Sequence, residues 1–343
     1  MPFQNLFLII LIFFLLYFFL QKFRFLSDNT AFSNHKKIGI RNNSPILLGG
    51  IFLLIVTLFF PPTNVVEIKV IYILITLLGI LSDKNILPNP KIRFTFQISI
   101  ILSLIYFNNL SIDDLRIDFL NNFLINDYFN VFFTAFCLAV LINGCNFIDG
   151  LNGLLSGYLI IVICSLIYVS ESNSNINLEN INYLNIILFS LILFFAFNIL
   201  GKVYLGDSGS YLISIILGSI LIKFYSANPS VSPFYIAILL WYPAFENLFS
   251  LIRRIYNKKT ISKPDNRHLH QLIFLFSKSK KYASLKIINP LSSIVILFFN
   301  SFSFLFANNF PSKSSTLILI LITNIFVYLA VYIFLAKYLK VKK

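Results

Sequence analysis

The sequence predicts an all-α protein that crosses a membrane many times, and two observations support that prediction. Hydrophobic residues make up 58% of the 343 residues, whereas charged residues make up only 12%. The apolar residues also fall in runs close to the ~20 residues that an α-helix needs to span a bilayer. Because little sequence separates the runs and no internal repeat is visible, we expect a single integral-membrane domain over residues 1–343.

Eleven apolar runs are predicted to form spans. They are Phe3–Leu20, Pro45–Phe60, Val65–Leu81, Phe94–Phe107, Phe129–Ile142, Leu151–Val169, Tyr183–Leu200, Tyr211–Tyr225, Pro233–Leu251, Pro290–Phe306 and Thr316–Ala336. The fourth and fifth runs are short for a bilayer. The first run lacks the positive charge and the cleavage site of a signal peptide, so we interpret it as a retained anchor.

Lys and Arg are distributed unevenly between alternate loops. Of the 27 Lys and Arg residues, 23 fall in one set of loops together with the C-terminal tail. Because loops rich in Lys and Arg stay in the cytoplasm, this set is predicted to be cytoplasmic, with the N-terminus outside and the C-terminus inside. The net charge of +14 is thereby explained by topology and by contact with anionic lipid, so no nucleic-acid partner is expected.

The carboxylates also have a distinctive placement. Of 13 Asp and Glu residues, six fall on the predicted cytoplasmic side, and five of these stand in short polar motifs at helix ends. The five are Asp83, Asp149, Asp207, Glu246 and Asp265. A charge within the bilayer costs several kcal/mol, so packing does not explain such a set. It indicates a metal-assisted site at the membrane surface.

Residues 143–153 hold three Asn, three Gly and one Asp between two apolar spans. Glycine permits unusual backbone angles and a close approach of the chain to a ligand. The amides of Asn143, Asn146 and Asn152 are suited to hydrogen bonding with a sugar or a base. A role in packing alone is the weaker interpretation.

The run Gly-Asp-Ser-Gly-Ser at 206–210 opens a later helix. The N–H groups and the dipole of a helix start favour a phosphate. Asp207 would repel that phosphate unless a cation bridged the two, and Mg²⁺ does this with few protein carboxylates. The alternative is a simple N-cap by Asp or Ser.

Three further motifs contain candidate phosphate contacts. His35 and Lys36 form the first, with ordinary juxtamembrane charge as the alternative. Asp83 ends a span and is followed by Lys91 and Arg93, although a single Asp at a helix end is often only solvated.

The third of these motifs is a basic loop that ends in Arg267, His268 and His270. The two histidines are two residues apart, which does not match the i, i+4 spacing of a helical zinc pair. The mixture of cations, amides and one acid is better suited to a nucleoside diphosphate.

Taken together, these motifs resemble the polyprenyl-phosphate N-acetylhexosamine-1-phosphate transferase family, glycosyltransferase family 4, and within it the branch that initiates O-antigen and polysaccharide synthesis. The most specific parts are the runs 146–150, 206–210 and 264–270, and the similarity extends over roughly residues 34–272. The resemblance implies ten or eleven helices in a bacterial inner membrane and an active site that faces the cytoplasm. It also implies transfer of a HexNAc-1-phosphate from a UDP-sugar to undecaprenyl phosphate, with release of UMP and a requirement for Mg²⁺, or Mn²⁺ as an alternative.

The resemblance further implies roles for individual residues. Asp207 is expected to bind the metal, and Asp83 to position or deprotonate the lipid phosphate. The predicted catalytic residues are Asp83, Asp149 and Asp207. The predicted substrate-binding residues are His35, Lys36, Ser82, Lys91, Arg93, Asn143, Asn146, Asn152, Arg267, His268 and His270.

The chain departs from the family pattern at three positions. Ser82 stands where the family usually has the first of two adjacent aspartates, Asn152 where many bacterial members have Asp, and Glu246 where Asp is common. A strong base is not essential, because a phosphomonoester with a second pKa of about 6 is already largely ionised near pH 7. A catalytically silent relative and a lipid-linked sugar flippase are the alternatives, and the sugar, the downstream polymer and a homodimer stay open.

Overall fold

The computed structural model describes residues 2–23, 26, 46–63, 65–178, 180–258, 267–280 and 283–340. Within these ranges the chain forms thirteen α-helices and one pair of two-residue strands, which confirms the all-α prediction. The helices are α1 (Phe3–Phe23), α2 (Gly49–Phe59), α3 (Val66–Asp83), α4 (Pro90–Asn108), α5 (Asp118–Leu124), α6 (Asp127–Ile148), α7 (Leu154–Ser172), α8 (Ile181–Asn198), α9 (Gly206–Ala227), α10 (Pro233–Tyr256), α11 (Leu269–Ser279), α12 (Leu285–Asn308) and α13 (Ser314–Tyr338).

Each of the eleven predicted spans corresponds to a helix, and eight helices of the described residues are long and apolar enough to cross a membrane. The two runs that looked short belong to full-length helices, because α4 has 19 residues and α6 has 22. Both helices continue beyond the apolar runs into polar residues, which the length of the runs does not include. The expectation that residues 143–150 form a loop is wrong for residues 143–148, which are the last turns of α6. The short helices α5 and α11 lie inside segments predicted as loops.

A small strand pair joins two parts of the chain that are distant in sequence. The strand β1 (Ile46–Leu47) runs parallel to β2 (Val203–Tyr204), with Ile46 opposite Val203. The predicted span Pro45–Phe60 therefore begins with a strand, and its helix α2 has only 11 residues. Because each strand immediately precedes a helix, the pairing places the starts of α2 and α9 side by side.

Helix α9 lies at the centre of the bundle. In its most apolar stretch, 78% of the residues are buried, compared with 17% in the corresponding stretch of α1 and 22% in that of α13. It packs against α2, α3 and α6. The peripheral helices instead expose large apolar side chains, which is the pattern of helices that face lipid. The first turn of α9 therefore lies among the ends of several other helices.

Pro243 interrupts the hydrogen bonding of α10. A proline inside a helix has no N–H, so the carbonyl four residues earlier loses its partner. That carbonyl belongs to Leu239, and it accepts a hydrogen bond of 2.8 Å from the hydroxyl of Tyr158 on α7. A polar side chain from a neighbouring helix thus satisfies the backbone of a membrane helix. The arrangement fixes the second half of α10, which carries Glu246.

Candidate active site

Asp207 is the centre of a polar cluster that four helices build. It is the second residue of α9 and is almost completely buried. Its Oδ1 accepts from the amide of Asn146 on α6 at 2.7 Å, and its Oδ2 accepts from the hydroxyl of Ser82 on α3 at 2.5 Å. Arg93 on α4 donates to the same Ser82 hydroxyl, and its guanidinium lies 3.6 Å from Asp207 Oδ2. Four predicted site residues therefore meet here.

Asp83 binds the start of α9 from the end of α3. Its carboxylate accepts from the backbone N–H groups of Asp207 and Ser208, at 2.8 and 3.2 Å, and from the Ser208 hydroxyl at 3.0 Å. Gly206 allows this approach, because a Cβ there would lie 2.7 Å from Asp83 Oδ2 and its φ is +74°. A carboxylate at a helix start is favoured by the dipole and by the donors without partners.

This contact corrects one prediction. The N–H groups that open α9 were expected to bind a phosphate, but a protein carboxylate from another helix takes that position. The motif fitted both interpretations, because a helix start attracts any anion. The local sequence does not reveal that the anion is Asp83, because Asp83 lies 124 residues from Asp207 in the chain.

A second buried cluster fixes the start of α11. Glu246 is fully buried, and its Oε1 lies 2.9 Å from Nδ1 of His268. Its two oxygens also accept from the backbone N–H of Leu269 at 3.4 Å, and Oε2 accepts from the hydroxyl of Tyr328 at 2.8 Å. Nearby, Arg253 donates to the carbonyl of Arg267 at 2.8 Å. Contacts from α10 and α13 therefore hold the segment 267–269.

His270 is buried without a hydrogen-bond partner for either ring nitrogen among the described residues. Burial and, to a smaller extent, the neighbouring His268 lower the pKa of this imidazole to about 3, although Glu246 opposes the change. The side chain is therefore neutral near pH 7. A Cβ at Gly150 would lie 2.6 Å from Nε2 of His270, so a larger residue there would displace the imidazole. Buried polar atoms without partners are rare and call for a ligand or a water.

The end of α6 connects the two clusters. Asn146 binds Asp207, whereas the next residue, Phe147, contacts the ring of His268 at 5.2 Å between centroids. Asp149 caps α6, and Gly150 packs against His270. Successive residues of one motif thus reach both clusters, so a ligand held by residues 146–150 would touch both.

Three predicted residues are not brought into either cluster by their hydrogen bonds. Asn143 donates to Ala139 of its own helix at 2.8 Å. The backbone of Asn152 donates to Asn289 at 2.7 Å, and its side chain lies beside Gly201. Lys91 is exposed at the start of α4. The predicted residues His35 and Lys36, and Asp265 of the basic loop, lie outside the described residues.

The Asp207 cluster fits a hard divalent cation. Its side chains present carboxylate, amide and hydroxyl oxygens, which are the ligands that Mg²⁺ prefers. Among the described residues, no three His, Cys, Asp or Glu side chains gather as a metal site. Mg²⁺ commonly takes one or two protein carboxylates and completes its shell with water and substrate phosphates, so this sparse set is compatible with it.

Comparison with known proteins shows which family this chain resembles. A model of glycosyl transferase family 4 matches residues 65–225. The chain is 30% identical over 237 residues to a probable undecaprenyl-phosphate N-acetylglucosaminyl 1-phosphate transferase of Bacillus subtilis (strain 168), covering 66% of this chain and 63% of that relative. The chain is thus similar to glycosyl transferase family 4 over its central part. The matched residues include Asp83, Asn146 and Asp207.

Other family 4 relatives agree. An undecaprenyl-phosphate alpha-N-acetylglucosaminyl 1-phosphate transferase of Thermotoga maritima is 30% identical over 169 residues, or 49% of each chain. The corresponding protein of Escherichia coli (strain K12) is 26% identical over 204 residues, which are 57% of this chain and 54% of the relative. The chain thus spans from 49% to 63% of the length of these three relatives.

Some residues of the site were missed by the sequence analysis. Ser208 and Ser210 belong to a motif that was recognised, but their contacts with Asp83 and Asn146 depend on the packing of α9. Tyr328 carries no signal, because it stands in the last apolar helix without any motif around it.

Proposed function

We propose that this protein transfers a HexNAc-1-phosphate from a UDP-sugar to undecaprenyl phosphate and releases UMP, as the first membrane step of a cell-surface polysaccharide or O-antigen. The observation that carries the proposal is the Asp207 cluster, in which α3, α4, α6 and α9 bring Ser82, Arg93, Asn146 and Asp207 into contact. The names of the relatives support a polyprenyl-phosphate acceptor and an N-acetylglucosaminyl 1-phosphate group. We propose that the site faces the cytoplasm from a bacterial inner membrane, because its residues adjoin, in the sequence, the set of loops that holds 23 of the 27 Lys and Arg residues.

In this reaction the phosphate oxygen of the lipid forms a bond to the sugar-linked phosphorus, and the bond to UMP breaks. The protein forms no covalent bond, so its contribution is positioning and electrostatic stabilisation. Asn146 holds the carboxylate of Asp207 in place, and Arg93 offers a cation beside it. The neutral imidazole of His270 and the segment 146–150 are placed to bind uncharged parts of the donor.

Asp207 would hold Mg²⁺, with oxygens of Asn146, Ser82 or Ser210 close by. When bound, this ion neutralises the charge of the diphosphate and of the phosphorus that is being transferred. Asp83 is better suited to shape the site than to act as a base, since its oxygens already accept hydrogen bonds from α9.

The test is a reconstituted assay with purified protein, radiolabelled UDP-GlcNAc or UDP-GalNAc, undecaprenyl phosphate and Mg²⁺. We expect a labelled lipid product and UMP, and no product in EDTA. Asp207→Asn should lower turnover by at least about 100-fold, the usual size of a lost electrostatic contact in an active site. Asp127→Asn is the matched control, because Asp127 also lies in the first turn of a helix but is exposed.

The assay also separates the rival functions. A flippase would move a preformed lipid-linked sugar and release no UMP, and a silent relative would bind the UDP-sugar without turnover. Ser82 does not by itself favour a silent relative, because its hydroxyl donates to Asp207 and accepts from Arg93. A wild-type protein that forms no product with any UDP-HexNAc would contradict the proposal.

A further inference from the structure

We propose that Glu246 is a positioning residue of the donor site, which acts through His268 and the first turn of α11. The inference deepens the proposed function and rests on it for its kinetic part. Glu246 lies in the second half of α10, beyond the end of the matched family segment at residue 225. Its side chain does not face solvent, and its contacts all lead to α11 or α13.

The hydrogen bonds of Glu246 determine how His268 is presented. A carboxylate can only accept, so Nδ1 of His268 carries the proton in their 2.9 Å contact. In the neutral ring, Nε2 is then the acceptor. The hydrogen-bond partner of Nδ1 thereby determines whether Nε2 acts as a donor or as an acceptor towards a ligand. The same arrangement fixes the orientation of the ring, because Phe147 packs against it.

Glu246 also fixes His270. Its oxygens accept from the N–H of Leu269, the first residue of α11, so it binds the positive end of this helix. His270 is the second residue of α11, and its ring stacks on that of His268 with 5.6 Å between centroids and 10° between planes. A displaced first turn would therefore move the ring that fits against Gly150.

The burial of Glu246 indicates why removing its partner is costly. An unpaired charge in the interior costs several kcal/mol, but this carboxylate has three donors: His268, Leu269 and Tyr328. The hydroxyl of Tyr328 donates to the carboxylate and not to His268 or α11, so it provides a matched control. The variant Tyr328→Phe removes one donor and leaves the contact between Glu246 and His268 intact.

The first measurement is independent of activity. Hydrogen exchange of the amides at residues 269–272 should accelerate at least about tenfold in Glu246→Gln, the effect of losing 1.4 kcal/mol of local protection. It should accelerate less in Tyr328→Phe. Exchange at wild-type rates in Glu246→Gln would overturn the inference. If this variant does not fold, Glu246→Asp replaces it in both measurements, because it retracts the carboxylate by one methylene.

The second measurement is a double-mutant cycle of Glu246→Gln and His268→Ala on kcat/KM for the UDP-sugar. Glu246→Gln alone should lower kcat/KM roughly 10- to 100-fold, the range for losing the carboxylate partner of a metal-bound histidine. In the His268→Ala background it should have little further effect, and the KM for undecaprenyl phosphate should stay at its wild-type value. Additive effects would overturn the role through His268. An inactive wild type would instead refute the proposed function and leave the exchange result to decide the position of Glu246.

Discussion

Asp83 can act as a cap for α9 or as a base for the lipid phosphate, and two substitutions separate these roles. Asp83→Ala removes all three acceptor contacts with Asp207 and Ser208. Asp83→Asn has no basic carboxylate but keeps one oxygen, which can still accept from the backbone N–H of Asp207. The cap role predicts that Asn is far better than Ala. The base role predicts that both variants fail equally.

The magnitude follows from the contacts. Losing an N-cap costs about 0.5–2 kcal/mol, and charged acceptors lie at the upper end, so Asp83→Ala should destabilise the protein by about 2 kcal/mol. Asp83→Asn should cost about half of that. Because Asp207 is the second residue of α9, a loosened first turn also misplaces its carboxylate. A displacement of about 1 Å can lower turnover roughly 100-fold, which we expect for Ala, against a loss of less than about tenfold for Asn.

The assay combines thermal unfolding in detergent with turnover at saturating Mg²⁺, so that folding and chemistry are read separately. A lost general base lowers the rate by roughly 10²–10⁴-fold whatever replaces it. If Asp83→Asn unfolds like the wild type and yet loses as much activity as Asp83→Ala, the cap interpretation is refuted.

The remaining predictions concern stability and metal binding. Tyr158→Phe should destabilise the protein by about 1–3 kcal/mol, because it leaves a buried carbonyl without a partner, whereas Tyr183→Phe should be nearly neutral, since that hydroxyl has no partner among the described residues. The neutral state of His270 contributes stability that is complete above pH 6.5 and decreases as the pH falls towards its folded pKa of about 3, so unfolding at pH 5 should cost about 2 kcal/mol less than at pH 7, and His270→Gln should remove that part of the slope. Ser82→Asp puts a second carboxylate beside Asp207, so Mg²⁺ should raise the melting temperature more than in the wild type or in Ser82→Asn.

The sequence predicts the helices of this protein better than it predicts which side chains meet between them. Apolar runs located all eleven long or apolar helices, because hydrophobic length is a local property. The motif around Asn146 predicted a ligand-binding site, which stays a prediction, and the structure adds that Asn146 contacts Asp207. The position of Asn152 was harder to predict from the sequence, because its contact with Asn289 on α12 depends on how the helices pack. Tyr328 could not be found at all, because an aromatic residue in an apolar helix looks the same whether or not its hydroxyl meets a buried acid.

Two of the five clustered acids share one geometry. Asp83 binds the start of α9, and Glu246 binds the start of α11, each from another helix. In both helices the second residue is a candidate site residue, Asp207 in one and His270 in the other. A carboxylate at a helix start stabilises that start and thereby also holds the second residue of the helix in position.

This geometry suggests which acid can bind a cation. The acceptor contacts of Asp83 include backbone N–H groups, so moving it would leave helix donors without partners, at about 1–3 kcal/mol for each buried group. The hydrogen bonds recorded for the Asp207 carboxylate come from the side chains of Asn146 and Ser82, which can rotate to other acceptors, including those of a substrate. Exchanging them for a cation leaves the helices intact. We therefore propose Asp207 as the metal ligand and Asp83 as the cap of α9, because releasing the side chains of Asn146 and Ser82 costs less than uncovering the N–H groups of a helix start.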